Sequence, residues 1–195
     1  MEFQQVVQQR RMARAFREAP LDRTVVERIL ANGNRAPSAG FTQGYGFLVL
    51  EDAADRARFW QAFIAAGHQP EPAEMAAPLL IVPLACKVAY LDRYAEPDKG
   101  WADRDEARWP IPYWYLDTGF AALLMLLTAV DQDLGGLFFG LPPEVITAVR
   151  AAFGVPDDHE PIGAIAIGQP APGGSTGSAW RGRRPLDQVV HWGRW

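Results

Sequence analysis

Two pairs of arginines, one near each end of the 195-residue chain, are the side chains best suited to chemistry. Arg10 and Arg14 stand four apart, the spacing that makes side chains neighbours on a helix. Arg181 and Arg183 stand two apart, which puts them on one side of an extended segment. Guanidinium groups held close together repel unless an anion sits between them, and their planar forks match phosphate oxygens. Taken singly, each pair also fits a solvated basic face; taken together, they describe a clamp on one phosphorylated ligand. Charge placement points the same way. Residues 1–23 carry +2 and residues 180–195 carry +3, so the other 156 residues carry −9 of a net −4. An acidic middle argues against a nucleic-acid binder. Only Lys87 and Lys99 break an otherwise all-arginine basic set.

Other chemistry-bearing motifs are weaker. Residues 173–177 spell G-x-S-x-G around Ser175, but Pro170 and Pro172 precede it and no helical pattern follows, so a hydrolase nucleophile elbow is not expected. His68, His159 and His191 are scattered without metal-ligand spacing, and Asp157, Asp158, His159 and Glu160 read as a solvated acidic turn. The single cysteine, Cys86, excludes a disulfide framework and ends an apolar run, where it reads as a buried small hydrophobe. No G-x-G-x-x-G follows a strand and no Walker A is present. A nicotinamide cofactor, if used, is therefore not held by a Rossmann unit.

The elements that must position these residues alternate irregularly. Apolar spacing predicts helices over 2–16, 22–32, 52–66, 113–130 and 142–153, and strands over 47–50, 79–86, 135–139 and 162–167. Pro83 makes the 79–86 strand an edge or bulge candidate. Residues 36–46 form a glycine-rich loop, and 96–112 a long irregular insertion. Without a regular βαβ alternation the fold class is α+β, one domain over 1–195. The 113–130 helix is apolar all round, which requires burial on every side. A second subunit is the expected cover. The Pro/Gly/Ser-rich tail from 169 ends in Val189, Val190, Trp192 and Trp195 and should dock on its own domain or a neighbour. The first twenty residues lack the apolar core of a signal peptide. The longest uncharged helical stretch, 118–130, is short of a membrane span. A cytoplasmic protein without membrane contacts is expected.

Four motifs in order, Arg10-Arg11-Met12-Ala13-Arg14-Ala15-Phe16, Ala36-Pro37-Ser38-Ala39-Gly40-x-x-Gln43, Gly135-Gly136-Leu137-Phe138-Phe139-Gly140 and Arg181-Gly182-Arg183-Arg184-Pro185-Leu186, resemble the FMN-dependent nitroreductase family. The closing Val189-Val190-His191-Trp192 is similar to family tails. The resemblance implies a three-layer fold with a mostly antiparallel central sheet, and an interlocked homodimer in which an arm over 170–195 reaches the partner. It implies FMN at each interface. Arg10, Arg11, Met12, Arg14, Arg181 and Arg183 would surround its phosphate and ribityl chain. Pro37, Ser38, Ala39, Phe41 and Gln43 would line the ring, from the other subunit. Phe139 and the backbone N–H of Gly140 would face flavin N5 as the catalytic pair.

The implied activity is a ping-pong oxidoreductase: hydride from NAD(P)H to FMN, then to a small planar acceptor such as a nitroaromatic, quinone or enone. Phe41, Trp109, Tyr113 and Trp114 are the substrate candidates. Met12 stands where a small hydroxyl residue is usual, Phe41 where Asn is usual, and Gln43-Gly44-Tyr45 replaces Gln-Pro-Trp. Those departures keep two alternatives open. One is a flavoprotein dehydrogenase or flavin-modifying enzyme that does not use NAD(P)H. The other is a non-catalytic binding module.

Overall fold

The computed structural model describes residues 1–173 and 177–195, so Ser175 of the G-x-S-x-G match lies outside the described residues. Strand β2 (Leu79–Ala85) is buried along its whole length. Its side chains alternate between two apolar layers with the period of two that a strand imposes. Leu80, Val82 and Leu84 meet Phe59 and Trp60 of α3 (Ala53–Ala65) and Val145 and Val149 of α7 (Pro143–Phe153). Leu79 and Ile81 face the other way, onto Val26 and Ile29 of α2 (Arg23–Gly33) and Met125 and Ala129 of α6 (Tyr113–Asp131). The result is three layers, α3/α7, sheet, α2/α6, as the α+β reading expects.

The sheet runs β1 (Tyr45–Leu50), β2, β5 (Ala164–Gly168), β3 (Gly135–Phe139), with the two-residue β4 (Glu160–Pro161) also on β2; every strand pairing is antiparallel. Pro83 does not make β2 an edge, contrary to the sequence expectation. Its carbonyl accepts from Ile162 N–H, so its missing donor faces the break between β4 and β5, where no ladder bond is lost.

Three further corrections matter. The N-terminal helix is short: α1 covers Phe3–Gln9, and residues 10–17 run extended. Met12 bridges Gly136 in parallel, Ala13 N–H donates to Gly136 C=O, and Phe16 bridges Pro170. The free edge of β3 therefore captures a segment whose own spacing suits a helix. Gly135 permits the approach, since a Cβ there would lie 2.6 Å from Ala13 Cβ and 2.9 Å from Pro170 Cγ. Second, residues 87–95, unassigned from sequence, form α5 (Lys87–Ala95) around the buried Tyr90. Third, α6 has 19 residues, a rise of about 28 Å, so it reaches the length of a span that the 118–130 reading denied it. It lies against α2 and the sheet, with Ala121, Ala122, Met125 and Ala129 buried. Its other side leaves Leu116, Phe120 and Leu123 exposed at i, i+4, i+7.

Candidate functional site

The extended segment beside β3 carries its arginines into a cavity of about 620 Å³. Arg10, Arg11, Met12 and Arg14 form one wall, and Gly182 and Arg183 from the opposite end of the chain form another. The two ends meet because residues 15–17 and 169–171 zip together: Ala171 N–H donates to Ala15 C=O and Arg17 N–H to Gln169 C=O. The convergence expected from the sequence is present, though not through a helix face. Arg10 and Arg14 are two strand repeats apart, not one helical turn.

Among the described residues, no carboxylate lies within ion-pairing distance of Arg10, Arg11, Arg181 or Arg183. Arg14 alone has a partner there, Glu74 at 3.6 Å, whose carboxyl is pushed above its usual range by burial. Nearby cations left without counter-charge are costly unless an anion joins them, and a polyanion with several oxygens satisfies that set best. Arg181 is the exception among the predicted grips: it stacks at 6.0 Å over Trp180 and does not line the cavity. Met12 has a structural task, accepting the Phe138 N–H at 3.5 Å through its thioether sulfur.

The second predicted group lies elsewhere. Loop residues Pro37, Ser38, Ala39, Phe41 and Gln43 sit at the N-terminal end of α6, tied by Ala39 N–H to the buried Asp117 at 2.8 Å. Tyr90 O–H donates to the same Oδ2 at 2.8 Å, and burial, then this bond, raises the Tyr90 hydroxyl pKa far above normal. Arg93 Nε donates to Gly40 C=O at 3.0 Å while its fork grips Asp98. Gln43 N–H donates to Ser38 Oγ. Within these anchors the backbone is left-handed at Gly40, Phe41 and Gln43, with φ of 61°, 55° and 53°. Non-glycine residues hold such angles only where their surroundings insist. Phe41 is 76% exposed, a large ring displayed by a rigid loop.

The aromatic candidates divide. Trp109 is enclosed by Tyr90, Tyr94, Trp101, Tyr113 and Trp114 at centroid distances of 4.5–6.0 Å, and Trp114 is buried. Both rings hold the 96–112 segment onto α5 and α6. Of the three, Tyr113 is exposed. Phe139 is likewise a packing residue, stacked 5.7 Å over Trp60. Gly140 next to it is exposed, and no described residue accepts its N–H. Sequence reasoning missed Asp117 and Arg93, the two side chains that fix the loop. A lone acid inside an apolar helix was the available signal for the first.

The class is an α+β fold of three layers, with an arginine-lined cavity beside the β3 edge. The chain belongs to the nitroreductase family, whose model matches residues 7–169. It is 24% identical over 186 residues to an NADPH-dependent oxidoreductase of Staphylococcus aureus, covering 95% of this chain and 71% of that protein. Its fold is similar to that of the NfrA1 nitroreductase from B. subtilis, with TM-score 0.77 and 18% identity over 98% of this chain and 74% of that one. An FMN-dependent nitroreductase from Clostridium difficile R20291 matches with TM-score 0.70 and 18% identity, covering 97% and 98% of the two chains.

Proposed function

We propose that the protein is an FMN-dependent NAD(P)H oxidoreductase acting on small planar acceptors, and that its working unit is a homodimer. The observation that carries this is the cavity where Arg10, Arg11, Arg14 and Arg183 converge from both ends of the chain, with one carboxylate, Glu74 on Arg14, paired to the four among the described residues. A near-dianionic phosphate supplies the missing charge. When bound, FMN supplies the redox chemistry, accepting hydride from NAD(P)H and passing it to the acceptor. The chain's own part is to hold and to shape. The arginines fix the phosphate end, and Gly140 leaves a backbone donor exposed beyond the end of β3 for a ring nitrogen. The rigid loop 38–43 presents Phe41 as a flat wall.

A distance supports the dimer. The arginine cavity adjoins the C-terminal end of α6, through Met12 on Gly136 and a neighbouring cavity that Gln9 and Arg11 line together with Val130 and Gly135. The loop is tied to Asp117 near the other end. Fourteen residues of helix separate them, a rise of about 21 Å. One chain does not close both groups on one flavin. A two-fold copy with α6 antiparallel brings its loop to this cavity, and the exposed Leu116, Phe120 and Leu123 supply the apolar seam. The tail supports the same reading: Leu186, Trp192 and Trp195 are largely exposed on the single chain, so an arm over 170–195 has apolar surface to lay on a partner.

The purified protein is expected to be yellow, with a flavin spectrum bleached by NADH or NADPH under anaerobic conditions and restored by a quinone. Colourless protein that ignores added FMN refutes the reading. Flavin that resists both nicotinamides yet turns over with another donor favours the dehydrogenase alternative. The dimer has its own test. Phe120→Asp with Leu123→Asp places four charges in the seam, each replacing a side chain whose burial contributes about 1.5–3 kcal/mol. Sedimentation should show monomers with little bound flavin. A double variant that stays dimeric, or a monomer that keeps its flavin, removes the shared-site argument.

A further inference from the structure

Outside the arginine cavity, the residue types with the richest unassigned chemistry are Cys86, Asp158 and His159. They are brought together by strand pairing, not by sequence proximity. β2 and β4 pair with Ala85 opposite Glu160 and Leu84 opposite Pro161. Continuing that register by one residue sets Cys86 across from His159. The Cys86 thiol, 7% exposed, points at Asp158 Oδ2 3.9 Å away, and His159 Nδ1 lies 2.7 Å from Asp158 Oδ1. One donor atom from each of the three falls within 4.8 Å of the others. The expectation that the histidines lack ligand spacing holds along the chain and fails across the sheet, because Cys86 and Asp158 are 72 residues apart.

We propose that Cys86, Asp158 and His159 form a binding site for a borderline-soft divalent cation, with Zn²⁺ the best match. The donor set is one thiol sulfur, one imidazole nitrogen and one carboxylate oxygen, all common zinc ligands. A tetrahedral zinc with bonds of about 2.0–2.3 Å holds its ligand atoms roughly 3.3–3.7 Å apart. The 3.9 Å sulfur–oxygen separation needs an adjustment of a few tenths of an ångström, and a donor pair at the 4.8 Å limit of the set needs about one ångström, which the exposed side chain of Asp158 can supply. The proton between Nδ1 and Oδ1 is displaced on binding. Cys86 stands at the N-cap of α5, and its side chain makes no capping bond there. The surrounding charges do not compete: Lys87 is engaged by Glu106 at 2.8 Å, Arg150 by Asp157 at 2.9 Å, and Glu160 by the Tyr115 hydroxyl. Three protein donors leave a fourth position for water, and the exposed Asp158 gives the ion an entry.

Placement gives the site a consequence. Cys86 N–H donates to Gly44 C=O at 2.9 Å, directly after the loop that ends at Gln43. A metal here ties the 157–160 turn to the base of that loop. The ion therefore stiffens the segment that displays Phe41 without touching the arginine cavity.

The test uses the untagged full-length chain, dialysed against Zn²⁺. One equivalent per chain should bind, and zinc X-ray absorption should show one sulfur neighbour at about 2.3 Å with nitrogen or oxygen neighbours at about 2.0–2.1 Å. Cys86→Ser should weaken Zn²⁺ binding by at least tenfold and remove the sulfur shell. His159→Gln should weaken it by a similar factor. Arg183→Ala, which alters the proposed flavin site, should leave Zn²⁺ binding unchanged. Zinc should also raise the melting temperature of the wild type and not of Cys86→Ser. Absence of stoichiometric binding, a sulfur-free shell, or equal affinity in Cys86→Ser overturns the proposal, whatever the flavin spectrum shows.

Discussion

Replacing Arg14 and Arg183 together by alanine is expected to lower FMN affinity by about 10²–10⁴-fold, enough for the protein to purify without colour. A hydrogen bond to a charged group contributes about 1.5–3 kcal/mol, and each 1.4 kcal/mol is tenfold in affinity. Arg14 and Arg183 come from opposite ends of the chain and line the same cavity, so under the proposed reading they would meet the phosphate from two sides. Their losses should therefore add to within a small coupling. Arg14→Lys is the sharper control: charge is kept and the planar fork is lost, so affinity should fall by an intermediate factor. Arg184→Ala is the blank, because Arg184 donates to Gln188 C=O and does not line the cavity. Fluorescence titration with FMN at two ionic strengths checks all four proteins. Flavin retention that is unchanged in the double variant means the phosphate lies elsewhere, and the reading of the cavity fails with it.

The contrast between what was and was not legible in the sequence follows from where each signal resides. Helix α2 announces itself by Asp22, whose side chain caps Thr24 N–H, and by Val26 and Ile29 on the inner face. The buried strands β2 and β5 announce themselves by apolar runs with few polar interruptions. The fate of residues 10–17 is not local. Val6, Arg10 and Arg14 keep helical spacing, but a sheet edge with Gly135 and Gly136 offers backbone partners that a helix would forgo. Tertiary pairing overrides propensity there. A meeting of the two basic ends was open to reading from their placement around an acidic middle, and the structure brings Arg183 to the N-terminal set but not Arg181. Their geometry was not, because it depends on the hydrogen bonds between residues 15–17 and 169–171. The misjudged aromatics teach the same lesson: a Trp in a long loop looks available until its neighbours in space are known, and Trp109 has five aromatic ones.

Asp117→Ala is expected to cost about 2–5 kcal/mol of stability and to disable the loop that lies far from it in sequence. Asp117 is 2% exposed in a helix otherwise built for the core, and one oxygen accepts both Tyr90 O–H and Ala39 N–H. Removing it leaves two donors without a partner, the Tyr90 hydroxyl in a buried position and the Ala39 N–H in a half-buried one, each costing about 1–3 kcal/mol. For a chain of this size, each kcal/mol lowers the melting temperature by about 2–4 °C, so a fall on the order of 5–15 °C should appear by calorimetry. The second consequence is specific. Phe41 and Gln43 hold left-handed backbone conformations that cost about 1–3 kcal/mol apiece. Without the Ala39 anchor that strain relaxes and Phe41 leaves its place. If the loop walls the acceptor slot of the partner subunit, KM for the acceptor rises more than kcat falls, while FMN phosphate binding at the arginines is spared. Two companions separate this from general loosening. Asp117→Asn keeps one carbonyl acceptor and should recover part of both effects. Tyr90→Phe keeps the Ala39 bond, so it should lower the melting temperature yet leave the acceptor KM near the wild-type value. An Asp117→Ala protein with wild-type melting, or Tyr90→Phe raising KM as strongly as Asp117→Ala, would show that the Asp117 carboxyl does not position the loop.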